Sequence, residues 1–504
     1  MKIGEVISAS VLGGIEVKLT LNNPEELRVG YPTIVKGKKY DFYCVVQDIY
    51  TPKSKVIERI AGIGKEEMIP IEAHDSAYGN LFPCMAKLKV IQLINEKGEL
   101  KEPETIPPYL AEVRLARKED LEKIYIPNET SLPMGNLRGV SFEVNLDFGK
   151  LVEKPFGIFG RTGVGKSILC KIVCNSILAK EVGNVLIFDM HQEYGLFSKT
   201  DNTPGLKYFF PERVEVFALD PVANREAKPF FIEQSKITPS DIIIAFQDLS
   251  ESMIDALYIL EREKGSRDLV TTIREAEPEE YEGKIHSSSL LALKRRIERL
   301  RRFDFVREGV EDSFTQMLSL IKAGKSIVLD FGKYGLSTTS YLFIANIITR
   351  RLYSIYTRQE ENLPKLILFL EEAHKFLEPK VAQHTIFNKL ARETRKFNLI
   401  LALVDQRPSR IDEEVRSQLA NRLIMSLKEP SDVSAALSGV PDKGTWEGIV
   451  STMPPRNVLA MGDALPIPTV IEVLNYNVAN LKRILKNMDS EEIKEIASNI
   501  DIFD

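Results

Sequence analysis

Phe156-Gly157-Ile158-Phe159-Gly160-Arg161-Thr162-Gly163-Val164-Gly165-Lys166-Ser167-Ile168 is the stretch on which the reading of this chain turns. A short apolar run ends in a glycine-rich turn, and an apolar helical pattern continues from Ser167 to Leu178. Gly160 to Ser167 matches the spacing GxxxxGK[ST] in full, between an expected strand and an expected helix. That context gives the motif a mechanism. Glycines let backbone N–H groups wrap a phosphate, and the helix N-terminus favours its charge. Lys166 is expected to bridge the β- and γ-phosphates of ATP, and the Ser167 hydroxyl to ligate Mg²⁺. Gly160, Thr162, Gly163, Val164, Gly165, Lys166, Ser167 and Ile168 make up the expected nucleotide-binding set.

Downstream, short apolar runs alternate with helical patterns. The runs are NVLIFDM (184–190), SIVLDFG (326–332), KLILFLE (365–371) and NLILALVD (398–405). Alternation of this kind argues for a parallel sheet with crossover helices, and unbroken apolar runs suit strands covered on both faces. A phosphate loop needs an acidic partner at the end of a neighbouring strand. Leu366 to Leu370 leads into Glu371 and Glu372, which we assign to the Mg²⁺ shell and to the attacking water respectively. An acidic pair at a helix start is the plainer alternative. Asp189 ends the strand after the P-loop helix and is a third metal candidate, with Glu193 nearby as an extra water-activating group. A solvated strand-end carboxylate is the competing reading for each. Gln406, at the end of the 398–405 run, is positioned to touch the γ-phosphate and sense its loss. The basic helix Lys389 to Phe397 carries Arg392 and Arg395, and taken alone it reads as a solvated face.

Upstream, residues 1–112 read as short strands separated by turn residues, as in a small β-barrel. A Pro- and Gly-dotted connector follows over 113–140. The α/β core is expected over 141–237 and 323–475, a helical insertion over 238–322, and a helical tail over 476–504. The chain has 504 residues, 44% hydrophobic and 28% charged, which fits a globular protein of about three domains. Sixty-seven Lys and Arg against 72 Asp and Glu give a net charge of −5. Bulk attraction to nucleic acid is therefore excluded, but a local basic channel is not. Four cysteines without a CxxC pair, and five histidines without metal spacing, point away from disulfides and structural zinc. The N-terminus lacks a basic, apolar leader and no run approaches ~18 apolar residues, so a cytoplasmic protein without a membrane span is expected.

Taken together, the barrel, GRTGVGKS, FDMHQEYG, EEAHKF, ARETRKF and DQRPSRID resemble the HerA family of hexameric DNA translocases, in the HerA/FtsK branch of P-loop motors. The resemblance covers nearly the whole chain. It implies an α/β fold with a RecA-like core, an N-terminal barrel and a helical-bundle insertion. It also implies a homohexameric ring that threads double-stranded DNA, hydrolyses ATP with Mg²⁺ between subunits, and docks a NurA-type nuclease on the barrel for end resection. By motif match, Arg395 takes the role of the trans-acting arginine, with Arg392 as its substitute, and Lys154 that of a basic residue near the nucleotide. Two positions depart from the pattern. Glu371 stands where the family usually has Asp, and Asp405 stands where a small polar residue usually precedes the sensor glutamine.

Other functions share the core motifs. A conjugation or secretion ATPase is one, although the barrel argues against it, and a nucleotide-switched scaffold of a nuclease or defence complex is another. The densest basic run, Lys294 to Arg302, reads either as a helix paired with the acidic stretch Glu275–Glu282 or as a surface that guides DNA.

Overall fold

The computed structural model describes residues 2–21, 23–52, 84–222, 225–246, 248–300, 302–358, 363–379, 385–393, 397–477 and 479–481. The chain divides into two compact units. The first comprises residues 1–147, 424–428 and 439–474, and the second 148–423, 429–438 and 475–504.

The first unit holds a closed antiparallel barrel. Its strands are β1 (Lys2–Ser10), β2 (Gly14–Leu19), β3 (Pro32–Val35), β4 (Tyr40–Tyr50), β5 (Met85–Asn95) and β7 (Glu112–Leu115), while the two-residue β6 (Leu100–Lys101) pairs outside it on β5. The order is β2-β1-β7-β3-β4-β5, and β5 pairs back on β2 to close the ring. Closure leaves no free strand edges. Ile3, Val6, Ile15, Val17, Val35, Phe42, Cys44 and Leu88 fill the interior. The barrel runs past the expected limit of 112, because β7 pairs with both β1 and β3.

The expected connector is also structured. Arg114 and Asp120 form a bidentate ion pair at 2.6 and 2.8 Å across the start of the short helix Lys118–Leu121. β8 (Ser131–Leu137) then pairs antiparallel with β9 (Glu143–Asp147) and with β21 (Thr469–Val473), which pairs in turn with β20 (Asn457–Met461). These four strands belong to the N-terminal unit, whereas the sequence reading set 457–473 in the α/β core. Pro133 and Gly135 had argued against a strand here. The register shifts between them, and a Cβ on Gly135 would stand 2.1 Å from the Glu472 carbonyl oxygen. A bulge with a close backbone approach tolerates both residues.

The second unit is built on a parallel sheet. Its strands are β10 (Phe156–Phe159), β11 (Asn184–Asp189), β12 (Val214–Ala218), β13 (Lys228–Pro229), β16 (Ser326–Asp330), β17 (Leu366–Glu371) and β18 (Leu399–Asp405), in the order β13-β12-β16-β11-β17-β18-β10. The start of β19 (Asn421–Met425) lies beyond β10. Every residue of β11, β16, β17 and β18 is buried, as strands covered on both faces require. The chain leaves β10 through the helix Lys166–Ala179 and enters β11 with β17 and β18 in between. The carboxyl ends of these four strands therefore open on one side, the usual place for a ligand in such sheets.

Between β13 and β16 come the α-helices Pro239–Ala245, Glu251–Glu263, Leu269–Glu275, Ser287–Leu300 and Ser313–Lys322. A two-stranded ribbon of β14 (Ile232–Glu233) and β15 (Val306–Arg307) accompanies them. The basic run follows the pairing alternative in part. Lys294 meets Glu277 at 3.3 Å, and Arg296 meets Asp248 at 2.6 Å. Of the expected tail, Tyr476 is buried, and residues 482–504 lie outside the described residues.

Candidate nucleotide site

The glycine turn after β10 closes over the N-terminus of the helix Lys166–Ala179. Gly163 and Gly165 adopt φ of 80° and 98°, a left-handed backbone that side chains disfavour. Lys166 folds back so that its Nζ donates to the Gly160 carbonyl at 3.3 Å. A cleft of about 630 Å³ opens here, lined by Arg161, Thr162, Gly163, Gly165, Lys166, Ser167 and Ile168 from the loop and helix. Glu371, Glu372 and Gln406 line it from the ends of β17 and β18. The sequence-predicted phosphate, metal, water and sensor groups thus converge on one cavity. Val164 and Gly160 are not among its lining residues. Val164 is buried beneath the loop, and the Gly160 N–H donates to the Asp405 carbonyl at 3.1 Å, which ties the loop to β18.

The two adjacent acids differ in character. Glu371 is buried, with 8% of its surface exposed. One oxygen, Oε1, accepts a hydrogen bond from the Tyr194 hydroxyl, and the backbone carbonyl accepts one from Tyr341 at 2.7 Å. Its Oε2 is buried without a partner. Burial pushes the carboxyl up to about 8, with Asp189 and Glu193 adding to the rise and the Tyr194 bond and Lys166 opposing it. Glu372 is half-buried and sits in the left-handed region at φ 48°. Its carboxylate accepts from Gln406 Nε2 at 3.3 Å, and Gln406 Oε1 accepts from the Thr162 hydroxyl at 2.7 Å. A hydrogen-bonded chain thus runs from the phosphate loop through Gln406 to Glu372.

Asp405 explains how β18 holds that chain in place. It is fully buried, and its carboxylate accepts from the backbone N–H of Arg407 and from that of His374, each at 2.6 Å. His374 Nδ1 lies 3.0 Å from the same group, and its Nε2 faces Glu372 at 3.7 Å. Asp405 is therefore a structural clamp that pins the turn after β17 to the turn after β18.

Other predicted residues have different positions. Asp189 was expected at the metal. Instead its carboxylate accepts the N–H groups of Glu193 at 2.9 Å, Tyr194 at 2.8 Å and Gly195 at 3.4 Å, and it lines a separate cavity of about 410 Å³. Three N–H donors that would otherwise be orphaned in a buried turn require such an acceptor. Burial and the neighbouring Asp330 and Glu193 raise it to about 6, against the pull of the bonds from Glu193 and Tyr194. Lys154 precedes β10, so it stands at the opposite end of the strand from the phosphate loop and outside the cleft. Arg395 lies outside the described residues. Arg392 lies in the last turn of the helix Ile386–Glu393 and pairs with Glu414 at 2.7 Å. Glu193 does line the cleft, together with His191, Thr200, Asp201 and Lys375. The last four were missed, although His191 lies within FDMHQEYG and Lys375 within EEAHKF, and no local pattern pointed to Thr200 or Asp201.

The residues fit a nucleotide with a divalent cation. The Ser167 hydroxyl and the partnerless Glu371 Oε2 supply oxygen ligands of the type Mg²⁺ takes, directly or through water.

Comparison with known proteins agrees with this architecture. Residues 132–352 match the family model described as "Helicase HerA, central domain". The "DNA double-strand break repair helicase HerA" of Sulfolobus acidocaldarius is 26% identical over 527 aligned positions, covering 98% of each chain. Its namesake from Sulfurisphaera tokodaii is 27% identical, covering 78% of this chain and 79% of its own. Among solved structures, the plasmid coupling protein TrwB with a GTP analogue superposes with a TM-score of 0.51 at 12% identity, over 72% of this chain and 94% of its own. VirB4 of Thermoanaerobacter pseudethanolicus gives 0.50 at 14% identity, over 69% and 98%. Likeness at this identity speaks for the P-loop fold alone. The barrel, the parallel sheet with its phosphate loop, and these relatives together show a P-loop ATPase whose central region and overall sequence are similar to the HerA helicases.

Proposed function

We propose that the protein is an ATP-driven translocase or helicase of double-stranded DNA, working as a homohexameric ring with Mg²⁺. In this reading a NurA-type nuclease docks on the N-terminal barrel, and the two resect DNA ends in recombinational repair. The observation that carries it is similarity along 98% of both chains to a relative named for DNA double-strand break repair, joined to one cleft lined by Lys166, Ser167, Glu371, Glu372 and Gln406.

Within the cleft, Lys166 turns from Gly160 to the β- and γ-phosphates, where the loop N–H groups share their charge. Ser167 and Glu371 hold the cation, which when bound screens the phosphate oxygens. Glu372 orients the attacking water and accepts its proton. Gln406 stands between Thr162 and Glu372, so it exchanges these partners for the γ-phosphate and registers its departure. Arg395, with Arg392 as substitute, is assigned to the neighbouring subunit's nucleotide, where a cation stabilises charge in the transition state. With a net charge of −5, such a ring binds DNA by enclosing it rather than by bulk attraction.

The test combines ATPase assays, native mass measurement and displacement of a triplex-forming strand. Wild-type protein should hydrolyse ATP faster with duplex DNA, form a six-subunit species and displace the third strand. Lys166→Ala should lose all hydrolysis and displacement. Nucleotide binding with slow hydrolysis and no displacement would replace translocation with the scaffold reading.

A further inference from the structure

We infer that Tyr194 is a positioning residue for the metal site: it ties down one oxygen of Glu371 and leaves the other as that side chain's acceptor for the cation shell. The inference rests on the proposed role of Glu371 and adds a residue that role does not require.

The geometry begins at Asp189. Its carboxylate gathers the N–H groups of Glu193 and Tyr194, at 2.9 and 2.8 Å, and so fixes the turn after β11. That turn sends the Tyr194 ring inward, where only 1% of the residue remains exposed. The hydroxyl then donates to Glu371 Oε1. Tyr194 therefore joins the turn after β11 to the acidic end of β17. On the other side, Tyr341 donates to the Glu371 carbonyl at 2.7 Å and holds the backbone.

Between these two tyrosines, Glu371 keeps a single unsatisfied atom. Among the described residues, Oε2 is buried with no hydrogen-bond partner. A buried polar atom without a partner is costly, and a site that maintains one commonly reserves it for a ligand. Residues that hydrogen-bond a metal's carboxylate typically change metal affinity ten- to a hundredfold when removed.

The experiment uses the full-length chain as wild type, Tyr194→Phe and Glu371→Gln. Binding of a non-hydrolysable ATP analogue is followed while Mg²⁺ is titrated, and unfolding temperatures are taken in EDTA. Tyr194→Phe should raise the half-saturating Mg²⁺ concentration about tenfold, with binding of the metal-free analogue unchanged. Glu371→Gln should raise it at least as far. If Tyr194→Phe leaves the Mg²⁺ requirement in place while Glu371→Gln raises it, the inference falls and the metal role stands. A Tyr194→Phe protein that loses only thermal stability overturns it equally. If Glu371→Gln has no effect, the metal role fails and takes the inference with it.

Discussion

Two turns face one another across the nucleotide cleft, and each follows a buried strand that ends in an acid. After β11, Asp189 directs its carboxylate back into its own turn, where three backbone N–H groups occupy it. After β17, Glu371 receives one hydroxyl and keeps one oxygen free. Both groups are buried, and desolvation raises both, to about 6 for Asp189 and about 8 for Glu371. The difference lies in the donors. Two strong backbone donors, at 2.8 and 2.9 Å, hold Asp189 nearer the ordinary range, while Glu371 has only Tyr194 and the more distant influence of Lys166. A strand-end acid whose oxygens are all partnered builds structure, and one with an oxygen to spare can serve a ligand.

The sharpest way to break this comparison is to ask which turn supplies the water-activating carboxylate. Glu372 follows β17 and Glu193 follows β11, and both line the cleft. Glu372→Gln should lower the hydrolysis rate by about 10²- to 10⁴-fold, the usual reach of a general base, with binding of the analogue retained. Glu193→Gln should lower it less than about threefold, far below that reach. Single-turnover assays with both variants decide the matter. The reverse ranking would move the catalytic base to the turn after β11.

A smaller effect is expected in the pH dependence of stability. Glu371 has an ordinary value of 4.5 and a native value near 8. Between the two, the native state holds a proton that the unfolded chain has lost. Stability from this group is therefore fully present below about 4.5, declines as pH rises, and is gone above about 8. Asp189 adds its own decline, but only between 3.8 and about 6, which leaves pH 6–8 for Glu371. In EDTA, urea unfolding of wild type should weaken across that window by about 1–3 kcal/mol. Glu371→Gln should flatten the decline. Parallel curves for the two proteins would remove the claim that Glu371 is protonated in the metal-free state.

The same contrast marks how far the sequence could be read. β10, β11, β16, β17 and β18 lie within a residue or two of the expected runs, because buried parallel strands leave continuous apolar segments. The P-loop residues were legible for a similar reason, since their chemistry is local and their spacing is short. β12 went unread inside a long interval, where five residues between Arg213 and Leu219 give little periodic signal. β8 was hidden by Pro133 and Gly135, whose tolerance depends on the bulge and on the Glu472 carbonyl far along the chain. Asp189 and Glu371 looked alike as strand-end acids. What separates them is a bond from Tyr194 to a residue 177 positions away, and no local pattern encodes such a bond.

The mildest perturbation tests the structural side of the pair. Asp189→Asn keeps the size of the side chain and one acceptor oxygen, but turns an NH₂ toward backbone N–H donors. At least one of the Glu193 and Tyr194 N–H groups then loses its partner in a buried turn, which costs about 1–3 kcal/mol. The unfolding temperature should fall by several degrees. Because Asp189 bears on Glu371 indirectly, through the turn that seats Tyr194 and through its charge, its half-saturating Mg²⁺ should move less than that of Tyr194→Phe. Were Asp189→Asn to keep full stability and yet raise the Mg²⁺ requirement as far as Glu371→Gln does, the two turns would be equivalent after all. Asp189 would then have to be placed in the cation shell despite its three backbone bonds.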